Sequence, residues 1–299
     1  MVGSSLERLY GSNPDNTVLG KTSAELDLCD RESVFEELSA CRPDIVIDAA
    51  ARVGGILANS TYPADFISIN LQIQTNLLDA SHAAGIERFV FLGSSCIYPK
   101  FAPQPIPEAA LLTGPLEETN DAYAIAKIAG IMHVRAMRRQ FGHRYVSAMP
   151  TNLYGPNDNF NIDTSHVIPA LIRKFHEAHQ TSAPEVVLWG TGTPRREFLH
   201  VDDLASAVAF VAANYDDDEH INIGTGEDLT IAELATFIAE IVGFTGDIRW
   251  DHSKPDGTPR KLLNVDRLHN LGWRPQRSLE QGLRETYAWY IENLGTIRG

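Results

Sequence analysis

Tyr123 and Lys127 stand four residues apart in Tyr123-Ala-Ile-Ala-Lys127. On a helix that spacing puts a phenol and an ammonium on one face, where both can act on the same atom. A phenol so placed can donate a proton to a carbonyl oxygen. A Tyr packed on a neighbouring helix beside a solvated Lys would satisfy the same spacing. The segment Leu92-Gly-Ser-Ser-Cys-Ile-Tyr98 supplies small hydroxyls directly after an apolar run. Such residues fall at the carboxyl edge of the strand, where open α/β sheets bind their ligands. Ser94 or Ser95 could orient a carbonyl there, or serve only as turn residues. Cys96 sits at the same edge, and the ordinary fate of a free Cys is that of a small buried hydrophobe.

The elements that must hold these residues alternate along the chain. Continuous apolar runs recur at Ile45 to Ala50, Arg88 to Gly93, Tyr145 to Met149, Glu185 to Trp189 and His220 to Gly224, and runs of this kind read as strands buried on both faces. Between them lie stretches of helical period. Pro63 to Ala84 carries Phe66, Asn70, Ile73, Leu77 and Ala80 on one stripe, with Gly85 after it. Asn120 to Gln140 gives a second helix, His166 to Gln180 a third opened by Ser165, and Asp202 to Ala213 a fourth with acids at its start. Thr230-Ile-Ala-Glu233 and Ser278-Leu-Glu-Gln281 are capping boxes before two more. The five prolines between Pro99 and Pro115 make an irregular loop beside Ser94 to Tyr98. The pattern is that of an α/β protein with a doubly wound parallel sheet. Turn-rich segments such as Ser253 to Pro259, beyond about residue 224, suit a smaller C-terminal lobe. We assign residues 1–165, with a return near 198–223, to a dinucleotide-binding domain and 166–299 to a substrate-binding lobe.

The beginning departs from this plan. Met1 enters a helical pattern with Leu6 and Leu9 among polar residues, whereas a doubly wound sheet normally opens on a central strand and a glycine-rich turn that receives a pyrophosphate. The first strand is missing, and only Met1-Val-Gly-Ser4 could be the tail of such a turn, with Gly3 as its last glycine. The expectation is a gap whose two flanking strands carry unpaired backbone groups, each costing on the order of 1 to 3 kcal/mol.

The whole-chain numbers exclude other classes. Among 299 residues, 39 acids against 25 bases give a net charge of −14, which repels nucleic acid and anionic membrane surfaces. No apolar run is long enough to span a membrane, and residues 1–15 lack the core of a signal peptide, so the expected location is the cytoplasm. Cys29, Cys41 and Cys96 are odd in number without a Cys-x-x-Cys spacing, which argues for reduced thiols. His176 and His179 form a lone His-x-x-His with no partners at ligand spacing, so no metal site is expected.

Strand-Ser-Ser followed by Tyr-x-x-x-Lys on the next helix resembles the extended short-chain dehydrogenase/reductase superfamily, with its Rossmann-like fold. The likeness extends through Leu92 to Lys100, Tyr123 to Gly130, Pro150-Thr-Asn-Leu-Tyr-Gly-Pro156, Ser165-His-Val-Ile-Pro169 and Ser253-Lys-Pro-Asp-Gly-Thr-Pro-Arg-Lys261. Together these blocks are similar to the GDP-L-fucose synthase family, the GDP-4-keto-6-deoxy-D-mannose 3,5-epimerase/4-reductases, over essentially the whole chain.

The resemblance implies an NADPH-dependent enzyme that is both oxidoreductase and epimerase, acting on a GDP-sugar as a homodimer. It implies Cys96 as base and His166 as acid at C3 and C5, whose hydrogens the C4 ketone acidifies; apart from the family blocks, His166 reads as a helix-start hydrogen-bonder. For the reduction it implies Tyr123 as proton donor, Lys127 lowering the phenol's pKa and holding the nicotinamide ribose, and Ser94 on the carbonyl. Cofactor contacts map to Gly3, Ala49, Ala50, Leu92, Gly93, Ser94, Ser95, Lys127, Pro150, Thr151, Asn152, Leu153 and His166. After Val18-Leu19, Gly20-Lys21-Thr22 lacks the acid that would bind an NAD ribose, which favours NADP, though Lys21 reads equally as a solvated loop residue. Lys174, Arg196 and Lys261 would supply cations for the pyrophosphate, with Trp189 and Asp256 on the nucleotide or sugar. Lys174 by itself reads as an exposed helix charge, and Arg195-Arg196 beside Glu197 as a surface ion pair. Relatives carry a complete Gly-x-x-Gly-x-x-Gly turn whose closing glycine matches Gly3, so Met1 is expected to be an internal methionine of a longer frame. A chain starting there is expected to bind NADP poorly, because the amides that hold the pyrophosphate are incomplete. The alternatives are an NAD-retaining nucleotide-sugar 4-epimerase and a non-catalytic remnant that pairs with an intact subunit.

Overall fold

The computed structural model describes residues 1–162, 164–254 and 256–297. Pro255 of the Ser253 to Lys261 block lies outside the described residues. The first half of the chain runs α1 (Val2–Gly11), α2 (Arg31–Cys41), β1 (Ile45–Asp48), α3 (Ile56–Thr61), α4 (Pro63–Ala83), β2 (Arg88–Leu92), α5 (Asp121–Phe141), β3 (Arg144–Pro150) and β4 (Asn152–Tyr154). The second half runs α6 (Val167–Gln180), β5 (Glu185–Trp189), β6 (Arg195–Arg196), β7 (Phe198–His200), α7 (Val201–Asn214), β8 (Ile221–Ile223), β9 (Leu229–Thr230), α8 (Ile231–Val242), β10 (Asp247–Asp251), β11 (Arg260–Lys261), α9 (Asp266–Leu271) and α10 (Leu279–Glu292).

The main sheet has the order β1-β2-β3-β8 with every pair parallel. Every residue of β2 is buried, because helices cover both faces. On one face Phe89, Phe91, Tyr145 and Met149 pack with Leu77 and Leu78 of α4, Ile131 and Val134 of α5, and Val34 of α2. On the other, Val90, Leu92, Val146 and Ile223 pack with Leu204, Val208 and Val211 of α7 and Leu6 of α1. Alternate residues of one strand thus feed two cores, the arrangement that defines a doubly wound sheet.

Helix boundaries follow local chemistry. Pro63 opens α4, where its missing N–H is not needed, and the predicted stripe of Phe66, Asn70, Ile73, Leu77 and Ala80 is buried. α5 stops at Gly142, whose φ of +75° and N–H to the Arg138 carbonyl make a left-handed cap. Thr230 and Glu233 form the complete reciprocal capping box of α8, while Ser278 accepts from the Gln281 amide at the start of α10.

Three expectations are corrected. Ser165 does not open α6: the cap position is His166, and its side chain makes no capping bond. β5 is not buried on both faces; Val186 and Leu188 point inward while Glu185, Val187 and Trp189 are exposed, since it forms a two-stranded parallel ribbon with β10 away from the main sheet. No interior gap interrupts the main sheet: β1 is its edge strand among the described residues. Val18-Leu19 belongs to no strand, and both side chains are exposed.

A third core joins α6, α8 and α10 with β5 through Phe160, Ile168, Phe175, Leu188, Leu234, Ile238, Leu283 and Tyr290. No helix among the described residues is long and apolar enough to cross a membrane.

Candidate active site

A cleft of about 420 Å³ opens at the carboxyl edge of the main sheet. It is lined by Gly3, Ala49, Ala50, Leu92, Gly93, Ser94, Ser95, Tyr123, Lys127, Pro150, Thr151, Asn152, Leu153 and His166, contributed by segments that follow β1, β2 and β3 and by α5. Most cofactor-side residues named from sequence therefore share one wall. The N-terminal turn of α1 also reaches it through Met1 and Val2. Lys21 does not line this cleft. It lies in an adjoining cavity with Gly20 and Thr22, and its ammonium is 2.6 Å from the Glu37 carboxylate.

The site is built where β2 ends. After Leu92 the chain enters a 3₁₀ turn over Ser95–Ile97, and the Ser94 hydroxyl accepts from the Cys96 amide at 3.4 Å. Lys127 reaches across from α5 and donates to the Leu92 carbonyl at 2.9 Å. Its ammonium lies 4.8 Å from the Phe91 ring centre and 5.9 Å from that of Tyr123. Phe66 packs edge-on against the Tyr123 ring at 6.2 Å, fixing the phenol's orientation. Gly130 permits this closeness of α5 and β2, because a Cβ there would strike the Phe91 ring.

Burial, then the neighbouring Cys96 and Asp48, hold the Tyr123 phenol well above its ordinary pKa, with only the Ser94 hydrogen bond acting downward. Lys127 is pulled down by burial and pushed back up by Asp48 and Cys96. Burial likewise raises the Cys96 thiol, although Lys261, Ser94 and Lys127 oppose it. The resting site thus holds a protonated phenol and a protonated thiol. His166 lines the same cleft, and desolvation pushes its imidazole below the ordinary value.

The residues expected on the substrate side form two groups. Trp189, 66% exposed at the end of β5, lies between cations: Lys174 is 5.9 Å and Lys254 5.4 Å from its ring centre. Burial lowers Lys174. Arg196 of β6 is in register with Lys261 of β11, and the charge of Asp256 acts on the Arg196 guanidinium. Asp256 in turn accepts from the Thr191 amide at 2.9 Å and its hydroxyl at 2.7 Å. Lys261, lowered by burial, faces Cys96, so this second group adjoins the phenol–thiol cluster.

Sequence reasoning missed Lys254, Asn157, Asp158 and Asn159. The last three line the cleft. Asp158 is buried with Oδ2 unpaired, and burial pushes its carboxyl up to about 7. The polar cluster Asn157-Asp-Asn159 directly after Leu153-Tyr-Gly-Pro156 was the available signal. Glu197 is corrected: it does not pair with Arg195, which instead binds Asp228 at 2.8 Å. Its carboxylate is fully buried and accepts from the amides of Thr225 (2.7 Å), Gly226 (2.8 Å) and Leu263 (3.0 Å). Gly224 lies so close to that carboxylate that a Cβ there would overlap it. Glu197→Ala would strand the buried Leu263 amide and leave those of Thr225 and Gly226 to solvent. The expected loss is about 1 to 3 kcal/mol, read as a lower denaturant midpoint; an unchanged midpoint would contradict this role.

A parallel sheet with Ser, Tyr and Lys at its carboxyl edge defines a nucleotide-cofactor oxidoreductase architecture, and residues 1–224 match the profile described as the NAD dependent epimerase/dehydratase family. The chain belongs to that family. It is 57% identical to the probable GDP-L-fucose synthase 1 of Oryza sativa subsp. japonica, over 98% of this chain and 90% of that protein. It is 53% identical to the GDP-L-fucose synthase of Escherichia coli (strain K12), over 100% of this chain and 96% of the relative. Among solved structures, a GDP-L-fucose synthetase from Naegleria fowleri bound to NADP superposes with a TM-score of 0.92 at 31% identity, covering 100% of this chain and 92% of that one.

Proposed function

We propose that the chain converts GDP-4-keto-6-deoxy-D-mannose to GDP-L-fucose, by epimerisation at C3 and C5 followed by reduction of the C4 ketone with NADPH. The observation that carries this reading is the cleft shared by Ser94, Tyr123, Lys127 and His166, with the Cys96 thiol and the Lys261 ammonium acting on each other electrostatically beside it. Full-length relatives named GDP-L-fucose synthase support it.

The residues present fit a dinucleotide. Ala49, Ala50, Gly93 and Ser95 give a small-residue wall, and the N-terminal turn of α1, which reaches the cleft through Met1, Val2 and Gly3, is suited to a pyrophosphate. Lys127 would hold the nicotinamide ribose. NADPH, when bound, supplies the hydride for C4. Tyr123 donates the proton to the ketone oxygen, with Ser94 orienting that oxygen through its hydroxyl. Cys96 takes the proton at one ring carbon and His166 returns one from the opposite side. Lys174, Arg196 and Lys261 provide the local positive charge that an acidic chain needs to hold a GDP-sugar, and Trp189 offers the guanine a flat face.

In this reading residues 1–165 with 198–223 carry the cofactor and 166–299 the sugar nucleotide. The chain acts in the cytoplasm as a homodimer, for which three free cysteines and the helical pair α4 and α5 on one side of the sheet speak. The decisive experiment supplies GDP-4-keto-6-deoxy-D-mannose and NADPH. The expected result is one NADPH oxidised per GDP-L-fucose formed. Sugar isomerisation without net NADPH consumption would instead support the 4-epimerase alternative.

A further inference from the structure

We infer, resting on the reading above, that Asp48 is a positioning residue for the reductive step: its buried carboxylate at the end of β1 holds the Lys127 ammonium as a cation at the Leu92 carbonyl, beside Tyr123. Asp48 is 2% exposed, and its Oδ1 accepts from the Ala50 amide at 3.1 Å. Its Oδ2 has no hydrogen-bond partner, an uncommon state for a buried carboxylate oxygen.

The sheet register explains why that oxygen matters. Asp48 lies opposite Phe91, the ring over which the Lys127 ammonium sits, and that ammonium donates to the carbonyl of the next residue, Leu92. An acid on β1 and a base on α5 therefore both flank Phe91 of β2, close enough for their charges to act on each other without a direct ion pair. The two charges act on each other: Lys127 pulls Asp48 down against burial, leaving its carboxyl at about 6, and Asp48 is the foremost group pushing Lys127 up. The other titratable groups acting there are Tyr123 from α5 and Cys96 from the 3₁₀ turn. α4, packed against β1, brings the neutral Gln74, whose amide donates to the Ala126 carbonyl. Without Asp48, only Cys96 would oppose the effect of burial on Lys127, and a neutral amine cannot stabilise charge developing on the phenol.

Asp48→Asn separates charge from shape, because the amide oxygen still accepts from Ala50. The Lys127 ammonium is followed by NMR in protein carrying ¹⁵N-lysine, without substrate or NADPH. Its deprotonation midpoint is expected to fall by one pH unit or more in Asp48→Asn. In the unsubstituted protein, the same resonance is expected to shift as pH passes through about 6, where Asp48 takes up its proton. In the reductase assay, kcat at pH 8 is expected to drop about tenfold, KM for the GDP-sugar to stay within twofold, and Asp48→Glu to restore part of the loss. A Lys127 midpoint that does not move, or a resonance flat through pH 6, overturns the inference whatever the activity. A midpoint that falls in a protein with no reductase activity rejects the proposed reaction while upholding the pairing.

Discussion

Tyr123→Phe is expected to lower 4-keto reduction by about 10²- to 10⁴-fold, the range that a positioned proton donor contributes. The substitution removes one oxygen and keeps the ring that packs against Phe66, so the fold should be unaffected. Burial and the adjacent Cys96 and Asp48 keep the phenol protonated far above neutral pH. Tyr123 is thus always available as a donor, and the loss should be in kcat, with little change in KM. Solvent-deuterium exchange at C3 and C5 should persist, because the groups assigned to it, Cys96 and His166, remain. An NADPH-oxidation assay with a parallel exchange measurement checks this. Equal losses in both reactions would show that Tyr123 serves binding or folding instead of proton delivery.

Cys96→Ser is expected to cut that exchange by 10²-fold or more, since a hydroxyl is a far weaker acid than a thiol and cannot become an anion at working pH. The thiol is buried and held above its ordinary pKa, with Lys261 the largest influence in the opposite direction. The reactive thiolate therefore forms only as pH rises, so exchange by the unsubstituted protein should climb through the alkaline range. A group raised in pKa loses its proton later, which fixes the sign. NMR of the sugar in D₂O across a pH series reads both effects. Undiminished exchange in Cys96→Ser, or a rate that falls as pH rises from 7 to 9, would remove the thiolate from the mechanism.

Much of this site was legible because it sits on strongly patterned elements. The apolar run ending at Leu92 and the four-residue spacing of Tyr123 and Lys127 are dictated by a strand buried on both faces and a helix packed on it. The convergence of Ser94, Ser95, Tyr123 and Lys127 follows from those two facts. Glu185 to Trp189 misled because Val186, Val187 and Leu188 form a continuous apolar run, which reads the same whether Val187 is buried or exposed. Asp48 and Glu197 were invisible as individuals: each is a carboxylate whose setting is made by groups far along the chain, the charge of Lys127 for Asp48 and the amide of Leu263 for Glu197. Lys254 escaped because only the folded approach of its loop brings it over Trp189.

Glu197 binds amides from the turn after β8 and from the segment after β11 with one carboxylate, so the sheet edge and the strand bearing Lys261 share a common anchor. A change on either side is transmitted to the other. Trp189 ends β5, with Lys174 of α6 and Lys254 of the loop after β10 over its ring, outside that linkage. On the proposed reading, divergence toward other sugar nucleotides would therefore proceed first through the Trp189 corner, leaving the groups around Cys96 and Tyr123 intact while the contact offered to the nucleotide is exchanged.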